Sequence, residues 1–153
     1  MKVGQKVPNF SAIAHSGDFC HLSDFMDKPV VVFFYPRDNT PGCTQEACDF
    51  RDYWDEKWQQ CCHLLGVSRD TVSSHKKFID KYGLPFTLIS DSDEALCDLF
   101  AVMKEKNMYG KKVKGIERST FLIDTNYILA REWRKVKIEG HAEEVFSAVR
   151  EMA

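Results

Sequence analysis

The two side chains best suited to covalent chemistry are Cys43 and Cys48, which share one segment directly after the apolar run 30–34. Thr40 and Pro41 precede Cys43 in the order expected for the N-cap and first residue of a helix. The positive end of a helix stabilises a thiolate, which is the reactive form of cysteine. Cys43 is therefore predicted to be a reactive thiol, and a passive place in the core is the alternative.

The spacing between the two cysteines determines what the second thiol can do. Cys48 follows Cys43 by five residues, which in an intact helix separates the Cα atoms by about 8.6 Å. A disulfide requires about 4.4–6.8 Å, so the thiols can bond only if the first helical turns unwind. Gly42, Asp49 and Asp52 lower the helix propensity of the segment and favour unwinding. The alternative is that Cys48 is a passive helical cysteine.

A thiolate in such a setting can attack the O–O bond of a peroxide and become a sulfenic acid. The leaving oxygen gains negative charge, and hydrogen-bond donors must stabilise it. The Thr40 hydroxyl and the backbone N–H groups of Gly42 and Cys43 can do so, while Pro36 and Pro41 stiffen the loop and shield the sulfur. A fixed cation is also expected, and the candidates are Arg37, Arg51, Arg69 and Arg118. Among these, Arg118 is favoured because it precedes a predicted strand and can reach inward.

Hydrophobic periodicity and turn residues predict the elements that position this segment. Strands alternate with helices along most of the chain, which indicates an α/β domain with a mostly parallel central sheet and an antiparallel pair at one side. The predicted strands are 30–35, 61–68 and 86–90, with a hairpin at 120–124 and 128–133. The predicted helices are 43–54, 73–82, 93–102 and 141–151, and the lysine-rich stretch 104–115 is predicted to be a surface loop.

Length and composition indicate one domain spanning residues 1–153, with 44% apolar and 29% charged residues. A net charge of -2 and a pI of about 6.2 argue against nucleic acid or an anionic membrane as partner. No apolar run is long enough to span a membrane, and the N-terminus lacks the apolar region of a signal peptide. We therefore expect a reducing, cytoplasmic location, or an organelle if a targeting segment has been removed.

The remaining cysteines and the histidines are predicted to have passive roles. Cys61 and Cys62 are expected to start a strand, with at least one of them in the core, and Cys97 is expected in the core of a later helix. Cys20 is expected to be incidental, and zinc binding is disfavoured because the cysteines lack the usual ligand spacing. Four histidines are predicted to be solvated surface residues: His15, His21, His75 and His141. The lysines of 104–114 are interpreted as a solvated loop or, alternatively, as a docking site for a reductant.

The segment 34–48, with its Pro-x-x-x-Thr-x-x-Cys motif and a cysteine five residues later, closely resembles peroxiredoxins of the bacterioferritin-comigratory-protein (Q-type) subfamily. Other stretches agree, so the resemblance covers nearly the whole chain: 65–68, 74–78, 81–86 and 118–124. The resemblance implies an α/β, thioredoxin-like fold, in which helices flank a central mixed β-sheet that carries an N-terminal extension. It also implies an enzyme without a metal or prosthetic group, and a monomer.

By this resemblance, Cys43 is the peroxidatic cysteine and Cys48 the resolving cysteine. Thr40 and Arg118 orient the peroxide and the thiolate, and Pro36 covers the site. The implied enzyme is an atypical 2-Cys, thioredoxin-dependent peroxidase that acts in antioxidant defence. It reduces hydrogen peroxide and organic hydroperoxides through a sulfenic acid and an intramolecular disulfide, which thioredoxin or a similar dithiol then reduces.

Three alternatives remain open from the sequence. Some members of the family place the resolving cysteine on a later helix, which would give that role to Cys97. A protein thiol–disulfide oxidoreductase would share the fold, although the chain has no Cys-x-x-Cys motif. A non-enzymatic binding or chaperone-like module on the same fold is the third.

Overall fold

The fold is built around a central β-sheet. The structure is a computed structural model, and it describes residues 1–152. Seven strands form this sheet: β1 Ser11–Ala14, β2 Phe19–His21, β3 Val30–Phe34, β4 His63–Ser68, β5 Thr87–Ser90, β8 Ser119–Ile123 and β9 Leu129–Trp133. Two further strands, β6 Met103–Met108 and β7 Lys111–Ile116, pair only with each other. The helices are α1 Pro41–Tyr53, α2 Glu56–Gln59, α3 Val72–Tyr82, α4 Ala95–Leu99 and α5 His141–Glu151, with a 3-10 helix at Leu22–Phe25.

The strand order is β2-β1-β5-β4-β3-β8-β9. The three central strands β5, β4 and β3 are parallel to one another. The pairs β2–β1, β1–β5, β3–β8 and β8–β9 are antiparallel. The mixed sheet with flanking helices is the predicted architecture, and the β1–β2 hairpin forms the predicted N-terminal extension. The prediction of a mostly parallel sheet with an antiparallel pair at one side is wrong, because antiparallel strands flank the parallel strands β3, β4 and β5 on both sides. Within the described residues, no helix is both long and apolar enough to cross a membrane.

Alternate side chains of β3 enter two separate cores, one on each face of the sheet. Val31 and Phe33 pack with α1, α3 and α5, whereas Val30, Val32 and Phe34 pack with α4 and the N-terminal segment. Burial on both faces explains why this strand has a continuous apolar sequence. The first core contains Cys43 and the second contains Cys97.

Three predicted elements differ from the structure. The stretch 104–115 is a β-hairpin rather than a loop, and it turns at Tyr109 and Gly110, which both have positive φ. Most of its side chains are exposed, so the sequence has no apolar alternation to indicate strands. The helix predicted over 93–102 is the shorter α4, and β4 begins at His63 rather than Cys61 because the N–H groups of residues 61 and 62 bond to the last turn of α2.

Candidate active site

Cys43 is the third residue of α1 and is almost completely buried, with 2% of its surface exposed. Thr40 is the N-cap of this helix and Pro41 its first residue, as predicted. Cys43 therefore lies in the first turn of the helix, where backbone N–H groups are unpaired and the helix dipole is positive. This is an environment that stabilises negative charge on sulfur.

Arg118 is the arginine that reaches Cys43. Its Nη2 atom donates a hydrogen bond to the Cys43 Sγ at 3.3 Å. Strand pairing explains the contact: Ser119, the first residue of β8, lies opposite Phe34, the last residue of β3. The residue just before β8 is thus held beside the loop that leads from β3 into α1. Of the other candidates, Arg69 forms an ion pair with Glu94 instead.

Glu46 is a second partner of Arg118, and it was not among the site residues predicted from the sequence. Arg118 Nη1 donates to Glu46 Oε1 at 2.7 Å, and only 1% of the Glu46 surface is exposed. Burial raises the pKa of the Glu46 carboxyl to about 7, even though the Arg118 charge acts in the opposite direction. For Arg118, burial opposes the charged form, but Glu46 and Cys43 together still raise the guanidinium pKa. The available signal was spacing, because a residue three positions after Cys43 lies on the same helix face.

Thr40 and Pro36 line a cavity of about 420 Å³ between the β3–α1 loop and the β6–β7 hairpin. The Thr40 hydroxyl donates to the Arg37 carbonyl oxygen at 3.1 Å and does not cap α1 through its side chain. Cations and apolar groups from the loop and hairpin make up the rest of the lining: Arg37, Arg69, Lys106, Met108, Val113, Lys114, Gly115 and Ile116. The lysine-rich stretch thus forms one wall of this cavity.

Cys48 lies on the same continuous helix but is only partly buried, in a shallow groove near Pro41 and Tyr82. Burial raises the pKa of the Cys48 thiol, and Asp52 and Asp49 add to this effect while Arg51 opposes it. All six cysteines are free thiols. The intact helix therefore holds the two cysteines apart, as the spacing predicts.

A buried polar network anchors the loop that precedes Cys43. Asp38 accepts hydrogen bonds from the Tyr35 hydroxyl at 2.6 Å and the Ser74 hydroxyl at 2.8 Å, and it lies 2.7 Å from His75 Nδ1. The His75 Nε2 atom donates to the Ile89 carbonyl oxygen at 2.9 Å. The prediction that His75 is a solvated surface residue is wrong, because this network pairs both ring nitrogens inside the protein.

The same network contains the three groups that come closest to a metal-ligand set. Single ligand atoms of Asp38, Asp70 and His75 lie within 4.8 Å of one another. Asp70 Oδ2 also accepts hydrogen bonds from the Asp38 backbone N–H at 2.8 Å and the Ser68 hydroxyl at 2.6 Å. Hydrogen bonding within the protein accounts for the position of each of these groups.

The prediction of a solvated side chain is also wrong for His141, the first residue of α5. It is 4% exposed, and its Nε2 atom lies 2.7 Å from the Thr120 Oγ1 atom. The pKa of His141 is lowered to about 4, chiefly by burial; Glu144 opposes the shift and the Arg118 charge contributes to it. His141 is therefore a neutral group beside the Arg118 site at neutral pH.

Three of the remaining cysteines differ in burial and in the core they belong to. Cys97 is fully buried in the core on the other face of the sheet, and burial strongly raises the pKa of its thiol. Cys62 is buried as well, and burial raises its pKa to about 12. Its neighbour Cys61 is exposed. Cys62 is therefore the residue of this adjacent pair that lies in the core, and the prediction that at least one of them does so is confirmed.

Comparison with known proteins defines the class of this site. The family model described as AhpC/TSA matches residues 3–131, and the chain therefore belongs to the AhpC/TSA family. The putative peroxiredoxin Bcp of Coxiella burnetii is 48% identical over 145 residues, which cover 95% of this chain and 96% of that protein. Peroxiredoxin Bcp of Bacillus subtilis is 43% identical over 153 residues, which cover 100% of this chain and 98% of that protein.

Solved structures agree with these relatives. The bacterioferritin comigratory protein of Xanthomonas campestris has a TM-score of 0.88 and 44% identity, with 94% of this chain and 91% of that chain covered. A mutant of Xylella fastidiosa PrxQ has a TM-score of 0.92 and 41% identity, with 99% and 97% covered. Within its family the chain is thus a Bcp, or Q-type, peroxiredoxin with a thioredoxin-like fold. The predictions of this fold and of a thiol-dependent peroxidase are confirmed.

Proposed function

We propose that Cys43 is the peroxidatic cysteine of an enzyme that reduces hydrogen peroxide and organic hydroperoxides. The observation that carries the proposal is the 3.3 Å hydrogen bond from Arg118 to a buried sulfur at a helix N-terminus. A cation and a helix end directed at one sulfur stabilise its thiolate. Alkyl peroxide reduction is ascribed to the X. campestris relative, which supports the inclusion of organic hydroperoxides among the substrates.

In the first step, the Cys43 thiolate attacks one oxygen of the peroxide, and the O–O bond breaks. The sulfur becomes a sulfenic acid, and the leaving oxygen takes up a proton as water or alcohol. Arg118 stabilises the negative charge as it moves from sulfur to oxygen. The Thr40 hydroxyl orients the peroxide, and Pro36 limits the access of water from the cavity beside it.

In the second step, Cys48 resolves the sulfenic acid. The start of α1 must unwind, because the intact helix holds the two Cα atoms about 8.6 Å apart. The Cys48 thiolate then attacks the Cys43 sulfur, a disulfide forms, and the sulfenic oxygen leaves as water. Cys97 is unsuited to this role, since it belongs to the core on the opposite face of the sheet.

The cycle closes when an external dithiol, thioredoxin or a similar protein, reduces the Cys43–Cys48 disulfide by exchange. We assign the whole chain, residues 1–153, to one catalytic domain that acts as a monomer. Cytoplasmic antioxidant defence, with no metal or prosthetic group, is the role that this cycle fits.

Peroxide consumption followed by stopped flow with a thioredoxin system tests the proposal. Cys43→Ser should abolish turnover. Cys48→Ser should reduce one equivalent of peroxide and then fail to turn over with thioredoxin, because the sulfenic acid has no thiol partner. Normal turnover by Cys48→Ser, together with loss of turnover in Cys97→Ser, would assign resolution to Cys97 and refute the role given to Cys48.

A further inference from the structure

Glu46 lies between the two cysteines on α1, one helical turn after Cys43. Its side chain is buried, and Oε1 accepts the hydrogen bond from Arg118 Nη1 at 2.7 Å. The other oxygen, Oε2, is buried and has no hydrogen-bond partner within the described part of the chain. Arg118 thus bridges the carboxyl group and the Cys43 sulfur through its two terminal nitrogens.

The helix cannot unwind between Cys43 and Cys48 without moving Glu46. A disulfide brings the two Cα atoms to within about 7 Å, whereas the helix holds them about 8.6 Å apart. The backbone between the cysteines, which includes Glu46, must therefore change its conformation. The Glu46 side chain depends on helical geometry for its burial and for its hydrogen bond with Arg118, and it then loses both.

We propose that Glu46 is a positioning residue that holds Arg118 against Cys43 in the reduced enzyme, and that it releases a proton to solvent each time the Cys43–Cys48 disulfide forms. This inference rests on the resolving role proposed above for Cys48. Glu46 acts through Arg118 rather than on the substrate itself.

The geometry favours a protonated carboxyl group in the reduced enzyme. An ionised carboxylate with one buried oxygen left unpaired is costly, whereas the neutral acid is less so. In agreement, burial raises the pKa of Glu46 from its ordinary value of 4.5 to about 7. After unwinding exposes the side chain, its pKa returns toward the ordinary value, and the proton leaves at any pH between the two.

Few other charges reach Glu46. Arg118 favours the carboxylate from the segment before β8, and Asp49 on α1 itself favours the neutral acid. From α5, His141 packs against Phe50 of α1, and its lowered pKa of about 4 leaves it neutral throughout this range. The Cys43 sulfur shares Arg118 with Glu46. The sign follows: the helical reduced state is favoured at low pH, and it loses this advantage as the pH rises toward 7.

Peroxide chemistry gives a baseline for counting this proton. One hydrogen peroxide and two thiols give one disulfide and two waters, so the two electrons pass from sulfur to oxygen without net proton release. If Cys43 starts as a thiolate, the reaction takes up one proton. The proton released by Glu46 is added to whichever of these two counts applies. A variant without an ionisable group at position 46 lacks this proton, so the difference between its proton count and that of wild type measures it.

The experiment compares wild type, Glu46→Gln and a matched control, Glu56→Gln, in which an exposed carboxyl of α2 is replaced. Each protein receives one equivalent of hydrogen peroxide in weakly buffered solution with a pH indicator. Mass spectrometry then verifies the Cys43–Cys48 disulfide. At about pH 6, wild type and Glu56→Gln should each release close to one proton more than Glu46→Gln, and at about pH 8.5 this difference should vanish.

Equal proton counts for Glu46→Gln and wild type at pH 6, with the disulfide formed in both, would overturn the inference and leave the proposed function intact. Absence of the disulfide from wild type would refute the proposed function itself. If Glu46→Gln does not fold, the oxidised-minus-reduced infrared spectrum of wild type decides. The carbonyl band of a protonated carboxylic acid should disappear on oxidation at pH 6, and an unchanged band would contradict the inference.

Discussion

Arg118 and Cys43 are 75 residues apart in the chain, yet the guanidinium Nη2 atom lies 3.3 Å from the sulfur. Antiparallel pairing of β3 with β8 produces this contact, because it places Ser119 opposite Phe34. The loop after Phe34 leads into α1 and carries the sulfur to the same edge of the sheet. The register between β3 and β8 thus places the Arg118 guanidinium beside the Cys43 sulfur.

Arg118→Lys should lower the second-order rate constant for the first peroxide reduction by about 10²–10³-fold. Lysine keeps a positive charge but cannot donate to both the Cys43 sulfur and the Glu46 carboxyl group through two fixed nitrogens. Stopped-flow measurement of sulfenic acid formation under single-turnover conditions gives the rate. Arg131→Lys, at an exposed arginine of β9, is the control and should react at the wild-type rate. A wild-type rate for Arg118→Lys would show that the two-nitrogen bridge is unnecessary.

Under excess peroxide, Cys48→Ser should accumulate Cys43 sulfinic acid faster than wild type. Without a resolving thiol the sulfenic acid persists, and a second peroxide can oxidise it. Intact-protein mass spectrometry at increasing peroxide concentrations follows the added oxygens. Cys97→Ser should match wild type, since its sulfur lies on the far face of the sheet. Faster sulfinic acid formation in Cys97→Ser alone would contradict this account.

Gly66→Ala should destabilise the fold by about 1–3 kcal/mol. A Cβ atom at this position of β4 would lie 2.7 Å from Leu88 Cδ2 and 2.9 Å from Phe33 Cζ, and both of these side chains are fully buried. The urea midpoint at constant m-value measures the free energy of unfolding. Gly115→Ala is the matched control, because its Cβ would meet nothing closer than 4.0 Å. Equal midpoints for the two variants would disprove the steric explanation.

His141→Asn should flatten the loss of stability between about pH 6.5 and pH 4. The folded-state pKa of His141 is about 4, below its ordinary value of 6.5, so the unfolded chain binds a proton that the folded chain excludes. Wild type should therefore lose roughly 2–3 kcal/mol more than the variant on acidification across this window. Glu46 acts in the opposite direction in both proteins, and its effect cancels in the comparison.

Urea titrations at several pH values give these differences in the free energy of unfolding. His21→Asn, at an exposed histidine, should follow the wild-type curve. Parallel curves for wild type and His141→Asn would mean that burial of this ring carries no proton linkage.

Local signals in the sequence determined the helix that carries the chemistry. Thr40 and Pro41 mark its start as the N-cap and first helical residue, although the Thr40 side chain makes no capping hydrogen bond. The spacing of Cys43 and Cys48 on this helix requires unwinding before any disulfide forms. The last helix, 141–151, was also predicted with its observed bounds. Such signals act over a few residues, so they can be read without knowledge of the fold.

Tertiary structure alone decided which distant groups meet these residues. The sequence favoured Arg118 among four arginines, but only the β3–β8 register brings it to Cys43 and Glu46. Burial of His75 and His141 depends on partners from other elements. The β6–β7 hairpin has no alternation of apolar and polar residues from which its strands could be predicted. Local sequence specifies backbone conformation, whereas burial and pairing depend on strand order and packing between segments far apart in the chain.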